Sequence, residues 1–406
     1  MLLENIESQY LKNLTTLCGN EIPKDIALAI SGGADSTSLI ILTYHALIGK
    51  KHRLHILYIN HYKRKEASNE IIFISRLAQK LGCPFKILEW KEGKEVEANF
   101  QEIARKARYN LISQYCKESS IKLLLTGHHQ DDVIENYLLR KKRASGVLGL
   151  STNSVMFMDN LRIVRPLHIF SKKQLKMYLT KQNISWCEDS SNNSDKYERN
   201  RIRKEIANIS NNEKKEILTE IKENNIRAKE VNNELVEAIA ISVNISSKGY
   251  VKIDKTIFCK FNNEIKINLL AYILTIVCGS TKLPRSRVTS RIIKIIENYN
   301  ETKVTAHLCQ IIINNNEIII HKEIAKITTC EILLTNNLFW DKRFVFHYKN
   351  AFPKKLMVAK LDLESYYQLK SNKEFIDCLK KFGDFSYKSL LFTLPVIKYL
   401  EKVIAI

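Results

Sequence analysis

Hydrophobic and polar positions in the first two hundred residues follow two alternating periods. Continuous apolar runs occur at 26–30 (IALAI), 54–60 (LHILYIN), 85–90 (FKILEW) and 121–127 (IKLLLTG). Their length and composition predict strands buried on both faces. Between the runs, apolar residues recur at helical spacing from Leu39 to Leu47, from Ile71 to Leu81 and from Phe100 to Tyr115. Ahead of the first run, Ile6, Tyr10, Leu14 and Leu17 share one face of an amphipathic helix. Strand and helix in alternation predict βαβ units, hence an α/β fold with a doubly wound parallel sheet. Ligands of such sheets bind beyond the carboxyl ends of the strands. The residues following each run are therefore the first to inspect: Ser31 to Ser36, Asn60-His61 and Gly127-His128-His129.

The pattern changes further along. The polar stretch ANISNNEKKE (207–216) predicts a linker, and a helix-rich segment follows to about residue 300. KVTAHLCQIIINNNEIIIHKE (303–323) predicts a β-hairpin, with INNNE between two β-branched runs. From 331 a smaller, aromatic-rich α+β segment runs on. The expected organisation is a nucleotide-binding domain over 1–212, a mainly helical domain over 213–330 and a small domain over 331–406, with no internal repeat.

Composition narrows the class. Hydrophobic residues make up 45% and charged residues 26% of the 406, as in globular proteins. No apolar stretch approaches the roughly 20 residues that span a bilayer. The amino terminus, MLLENIESQYLKNLTTL, carries acids early and does not resemble a signal peptide, so a cytoplasmic location is expected. The nine cysteines include no C-x-x-C pair and no zinc spacing, which predicts buried thiols and supports neither a structural metal nor an iron–sulfur cluster. A formal net charge of +21 changes the picture more, because it points to a polyanionic partner. Some of that charge also fits the general enrichment in Lys, Asn and Ile expected of an AT-rich genome. Arg140-Lys141-Lys142-Arg143 is the densest local run.

The chemistry centres on ALAISGGADSTSLI (27–40), where a strand, a glycine turn and a helix follow one another in a chain with only 12 glycines. Backbone N–H groups and a helix N-terminus there form an anion site. No G-x-x-x-x-G-K-[ST] occurs and no lysine follows the glycines, so a cradle for pyrophosphate as leaving group, with attack at the α-phosphate of ATP, is favoured over γ-phosphoryl transfer. The loop residues Ser31, Gly32, Gly33, Ala34, Asp35 and Ser36 are the candidate ATP contacts, with Asp35 the candidate Mg²⁺ ligand and the two serines hydrogen-bonding phosphate. A second segment, TGHHQDDVIEN (126–136), opens a helix with His128, His129, Asp131, Asp132 and Glu135. Asp132 and Glu135 share a helix face. A third, WCEDSSNNSDKYERNRIRKEI (186–206), presents Arg199, Arg201 and Arg203, suited either to phosphate contact or to a solvated helix face.

SGGADS resembles the S-G-G-x-D-S signature of the PP-loop (N-type) ATP pyrophosphatases. Together with GHHQDDVIEN, RPL (165–167), WCEDSSN and YERNRIR, in that order, and with INHYKRKEAS after the second strand, the chain is similar to tRNA(Ile)-lysidine synthetases. The similarity is strong over about 20–206 and looser beyond, where LFTLPVIKYLEKVIAI resembles the family's C-terminal domain. It implies ATP-dependent ligation of L-lysine to C2 of the wobble cytidine in an isoleucine tRNA with a CAU anticodon, through an adenylated cytidine, with the two later domains binding tRNA. It also implies roles: Asp35 on Mg²⁺, His128 beside the reacting phosphate, Asp132 and Glu135 orienting lysine, and Arg201 contacting AMP or tRNA. Arg105, Arg108, Arg140, Arg143, Arg199 and Arg203 would contact tRNA. Two positions depart from the family pattern. Asn136 replaces a usual threonine, and RKKRASGVLGL replaces an Arg-Gly-Ser-Gly turn with one glycine fewer. Competing readings are a PP-loop tRNA thiolation enzyme, which commonly needs a cysteine pair, and an inactive tRNA-binding protein on the same scaffold.

Overall fold

In the computed structural model, residues 2–19, 21–61, 67–94, 100–188, 198–347, 355–370, 373, 376, 388–399 and 402–405 are described. The chain divides into two compact units, Met1–Ala228 and Lys229–Ile406.

The first unit carries the predicted alternation: α1 (Leu2–Cys18), β1 (Asp25–Ile30), α2 (Ala34–Leu47), β2 (Arg53–Asn60), α3 (Ala67–Lys80), β3 (Phe85–Glu89), α4 (Phe100–Glu118), β4 (Leu123–Thr126), α5 (Gln130–Lys142), α6 (Val147–Leu150), β5 (Val155–Met158), β6 (Leu161–Val164), α7 (Lys172–Lys181) and α8 (Glu198–Asn208). The sheet order is β3-β2-β1-β4-β6-β5. β1 pairs in parallel with both β2 and β4, and β6 in parallel with β4. β5 alone runs antiparallel, closing the sheet's edge as a hairpin on β6. Because side chains alternate along a strand, Ile26, Leu28 and Ile30 enter one core with Tyr10, Leu14, Leu39, Leu42, Ile74, Leu175 and Leu179, whereas Ala27 faces a second core with Leu57, Leu124, Ile112 and Cys116. Helices thus cover both faces, which is why the strands read as continuous apolar runs. The predicted face of α1 is buried through Tyr10 and Leu14, each burial being worth about 1.5–3 kcal/mol by apolar area.

β1 neighbours both β2 and β4, so the chain leaves it in opposite directions across the sheet. This is the switch point of the sheet, so the carboxyl ends of β1 and β4 are the edge at which such a sheet takes its ligands.

The linker predicted over 207–216 shrinks to Ile209-Ser210, because α9 (Asn211–Ser242) begins at once. Ser210 and Glu213 form a reciprocal cap, with the Ser210 N–H donating to Glu213 Oε2 (2.7 Å) and the Glu213 N–H to Ser210 Oγ (3.2 Å). The polar residues thus start a helix rather than a flexible tether, and the boundary expected after 212 falls in its first turn.

In the second unit, β7 (Val243–Ile245), β8 (Tyr250–Asp254), α10 (Lys255–Lys260), α11 (Asn263–Cys278), α12 (Ser286–Asn298), β9 (Thr302–Ala306), β10 (Cys309–Ile313) and β11 (Glu317–Lys322) build a five-stranded sheet of order β7-β8-β11-β10-β9 with helices. The stretch predicted as one hairpin is a three-strand meander. Its extra turn, His307-Leu308, holds φ at 48° and 62° without glycine, and so carries no Asn-Gly signal. Beyond it, β12 (Ile332–Leu333), β13 (Leu338–Trp340), β14 (Phe344–Phe346), β15 (Met357–Lys360), α13 (Leu363–Leu369), β16 (Pro395–Tyr399) and β17 (Lys402–Ala405) include a four-stranded sheet of order β12-β15-β16-β17. Among the described residues, no helix is long and apolar enough to cross a membrane.

Candidate active site

The glycine loop joins β1 to α2. Gly32 holds φ at +85°, in the left-handed region that favours glycine, and this angle rather than crowding requires it, since an added Cβ would meet its neighbours only at 3.6 Å. Gly33 occupies the N-cap of α2 with no side-chain cap, so the first N–H groups of the helix keep their dipole end open to an anion. Ser36 is buried and braces the loop from inside: its hydroxyl donates to the Gly33 carbonyl (3.0 Å) and accepts from the Ser31 N–H (3.3 Å). Ser31 remains exposed. The two serines expected to bind phosphate alike therefore stand in different places, Ser36 within the loop and Ser31 at its surface.

Asp35 lies in the first turn of α2. Its Oδ2 stands 3.5 Å from His129 Nε2 and 3.9 Å from Lys172 Nζ, and its Oδ1 is buried without a hydrogen-bond partner. Burial pushes this carboxyl's pKa up, but the His129 ring and the Lys172 and Lys176 ammoniums outweigh it, and the net shift is downward.

The second segment arrives from β4. A Cβ at Gly127 would stand 3.3 Å from the backbone of Ser36, so glycine lets the two loops abut across the switch point. His129 caps α5, with its N–H donating to Asp132 Oδ2 (3.0 Å), and its buried ring sits 3.5 to 3.6 Å from carboxylate oxygens of Asp35, Asp131 and Asp132. Burial disfavours its charge, yet the carboxylates prevail and raise its pKa. His128 behaves oppositely. Burial, with the charges of Arg165, Arg105 and Arg108 and against that of Asp132, holds its pKa at about 4, and its Nδ1 lies 3.0 Å from Thr126 Oγ1. His128, the sequence-based choice, is a neutral ring at neutral pH. The histidine that meets Asp35 is its neighbour His129. The signal was present in the position of His129, directly before the helix and three residues before an acid. Arg165, which opens RPL, is a further cation that the sequence reading did not single out as a site residue.

The third segment supplies Arg203. α8 packs on α5 through Ile134, Tyr137, Leu139, Ile202 and Ile206, which brings Arg203 Nε 2.6 Å from Glu135 Oε2 and Arg203 Nη2 3.9 Å from Asp132 Oδ1. The Glu135 side chain is only 4% exposed. The acid pair expected to orient lysine thus faces a guanidinium of the chain itself, and Arg203, expected on tRNA, turns toward the acids. Arg201 is exposed on α8. Arg199 opens the same helix, and its side chain lies outside what is described, as do Asp189 to Asp195 and Lys63 to Lys65.

The basic run is less open than its sequence suggests. Arg140 donates to the carbonyls of Gly149 (3.0 Å) and Ser151 (2.8 Å), while Lys141 pairs with Glu220 and Lys142 with Glu205. Arg140 thereby stitches the turn that departs from the Arg-Gly-Ser-Gly pattern. Arg143 is exposed at the C-cap of α5. Asn136, the other departure, donates to the Asp132 carbonyl (2.7 Å) within α5. Arg105 stacks over Tyr109 on α4, 5.2 Å from the ring centroid. His61 joins an aromatic group with Trp90 and Phe100 beyond β2 and β3.

Residues 4–210 match the PP-loop domain family. The chain is 37% identical over 408 residues to the tRNA(Ile)-lysidine synthase of Rickettsia bellii (strain OSU 85-389), covering 100% of this chain and 93% of that protein. It is 35% identical over 408 residues to that of Rickettsia akari (strain Hartford), with the same coverage. To that of Orientia tsutsugamushi (strain Boryong) it is 35% identical over 415 residues, covering 99% of this chain and 93% of that protein. With similarity across its whole length and a PP-loop at the β1/β4 switch point, this chain belongs to the tRNA(Ile)-lysidine synthase family.

Proposed function

We infer that the chain ligates L-lysine to C2 of the wobble cytidine in an isoleucine tRNA bearing a CAU anticodon, consuming ATP. The cytosine O2 attacks the α-phosphorus, pyrophosphate leaves, and the lysine ε-amine then displaces AMP from C2 to give lysidine. The activation is needed because a carbonyl oxygen leaves poorly until it carries a phosphoryl ester. The observation that carries the reading is the meeting of the uncapped helix N-terminus behind Gly32-Gly33 with the His129–Asp35 pair at one switch point.

The contacts support the following proposed residue roles. The open N–H groups at the start of α2 suit a polyphosphate. Among the described residues, no cluster of three or more His, Cys, Asp or Glu could enclose a metal ion. The buried, unpartnered Asp35 Oδ1 instead suits Mg²⁺, which is typically shared between one or two carboxylates and substrate phosphates. There the ion would neutralise phosphate charge. His129 holds Asp35 from behind. His128, whose pKa burial and Arg165 lower, can donate or accept a hydrogen bond near the phosphates. Asp132 and Glu135 remain our proposed contacts for the α-ammonium of lysine, with Arg203, paired to Glu135, our proposed partner for the carboxylate end of that zwitterion. Arg105, Arg108, Arg143, Arg199 and Arg201, with the later segments 213–330 and 331–406, are proposed to contact tRNA, and cytoplasmic placement follows from that substrate.

The test is mass spectrometry of an isoleucine tRNA(CAU) transcript after incubation with the protein, ATP and lysine, expected to show one added lysyl group on the wobble cytidine. Asp35→Ala is expected to abolish the product without lowering the melting temperature, because an uncompensated polyphosphate loses transition-state stabilisation. An Asp35→Ala protein working at the wild-type rate would mean the loop is misassigned.

A further inference from the structure

A polyphosphate cradle that lacks the usual P-loop lysine leaves the β- and γ-phosphates without a side-chain cation. We propose that Lys172, the first residue of α7, supplies it: its ammonium binds the β- and γ-phosphates of ATP and stays with the pyrophosphate as it leaves. This rests on the reading of the glycine loop as a pyrophosphate cradle.

Lys172 comes from a helix 137 positions beyond Asp35 in the chain, yet its Nζ stands 3.9 Å from Asp35 Oδ2 with the side chain 47% exposed. That separation is too long for a hydrogen bond. Among the described residues, the ammonium makes no hydrogen bond, so its donors are available to a ligand. Its backbone end is fixed. The Lys172 N–H donates to Asp131 Oδ2 (2.9 Å), and Ser171 with Gln174 caps the helix reciprocally, the Ser171 N–H donating to Gln174 Oε1 (2.9 Å) and the Gln174 N–H to Ser171 Oγ (3.3 Å). Ser38 Oγ donates to the Leu175 carbonyl (3.4 Å), and Leu175 and Leu179 are buried in the same core as α2. The start of α7 is therefore tied to α2 and α5 together, and the flexible four-carbon stem swings from a fixed root.

Its neighbours are differently placed. Lys176, one turn on, lies over the Trp186 ring (5.6 Å) and 3.5 Å from Glu188, so part of its charge is already engaged. Lys173 is exposed one position along the same turn, and no contact joins it to the loop. When the cytosine O2 attacks, the bond from the α-phosphorus to the bridging oxygen breaks and its electron pair departs with pyrophosphate. Negative charge grows there, and a cation at that oxygen stabilises the transition state more than the ground state.

The experiment is titration calorimetry of the full chain, without tRNA or lysine, against ATP, inorganic pyrophosphate and AMP, on wild type, Lys172→Ala, Lys172→Arg and Lys173→Ala. Loss of a charge-assisted phosphate contact in Lys172→Ala is expected to weaken ATP and pyrophosphate about tenfold, with AMP unchanged and melting temperature retained. Lys172→Arg should recover most of the affinity, and Lys173→Ala should bind as wild type. Lys172→Ala binding pyrophosphate as tightly as wild type would overturn the assignment, as would equal weakening toward AMP. A wild-type chain that bound neither ATP nor pyrophosphate would instead overturn the cradle on which the proposal rests.

Discussion

Glu135 is, along the chain, an acid three residues after another on one helix face. In the fold it is also the partner of Arg203, at 2.6 Å and nearly buried. A lysine substrate entering this site brings an ammonium that competes with the guanidinium and a carboxylate that can accept from it. Glu135→Gln is therefore expected to raise the KM for lysine about tenfold, the scale of a lost charge-assisted hydrogen bond, and to leave the KM for ATP nearly unchanged. Ornithine should be a poor substrate, since its amine falls one methylene short of the reacting carbon. Impaired ATP use with untouched lysine saturation would make the acid pair part of the phosphate site.

In the second unit, one buried carboxylate holds two cations. Asp341 binds Lys322 (2.6 Å) and Arg343 (2.8 Å), with side chains 1%, 7% and 3% exposed. Burial raises the pKa of this carboxyl, but Lys322 and Arg343 outweigh it and hold the value below the ordinary 3.8. Its contribution to stability is thus complete above the unfolded value and is lost as pH falls through the folded one. Asp341→Asn leaves two buried cations short of a counter-charge and is expected to cost about 3–5 kcal/mol in urea unfolding at neutral pH. The gap between variant and wild type should narrow once the pH drops below about 4. A gap that stays constant into acid would contradict the pairing.

At the scale of elements, caps decide where helices begin. The polar stretch around Ser210 reads as a tether if only its composition is weighed, but Ser210 and Glu213 stand three apart, and each bonds the other's backbone N–H. Ser210→Ala is expected to destabilise the start of α9 by about 1 kcal/mol, visible as a lower urea midpoint with an unchanged slope. An identical midpoint would return that segment to the role of linker. The elements of the first unit were legible because their periods are strong: every apolar run over 26–127 became a strand of the parallel sheet. The turn at His307-Leu308 was not, because left-handed φ there comes without the glycine or asparagine that announces it.

For the molecule as a whole, the charge of +21 predicts tRNA affinity that falls steeply with salt, since each neutralised phosphate releases counterions. The contacts refine which residues set that slope. Arg140, Lys141 and Lys142 are engaged with carbonyls or acids of the chain, and the charges of Arg105 and Arg108 reach His128 at the end of β4. Replacing Arg105 and Arg108 together with glutamine is expected to reduce the slope of log affinity against log salt by about one to two. Fluorescence anisotropy at several salt concentrations would measure it, and an unchanged slope would remove these arginines from the tRNA surface.

Sequence by itself determined what depends on neighbours along the chain. Strands at 26–30 and 121–127, the glycine turn, the acids at the start of α5 and the absence of a lysine in the loop all follow from local period and spacing. Tertiary structure decided what depends on residues far apart. It placed His129 rather than His128 against Asp35, closed Arg203 onto Glu135 across 68 positions, and brought Lys172 to a loop 137 positions earlier. The physical reason is that a charge's partner is set by distance through space. Which helix N-termini meet at the switch point follows from the strand order of the sheet, and the residues of one loop do not carry that order.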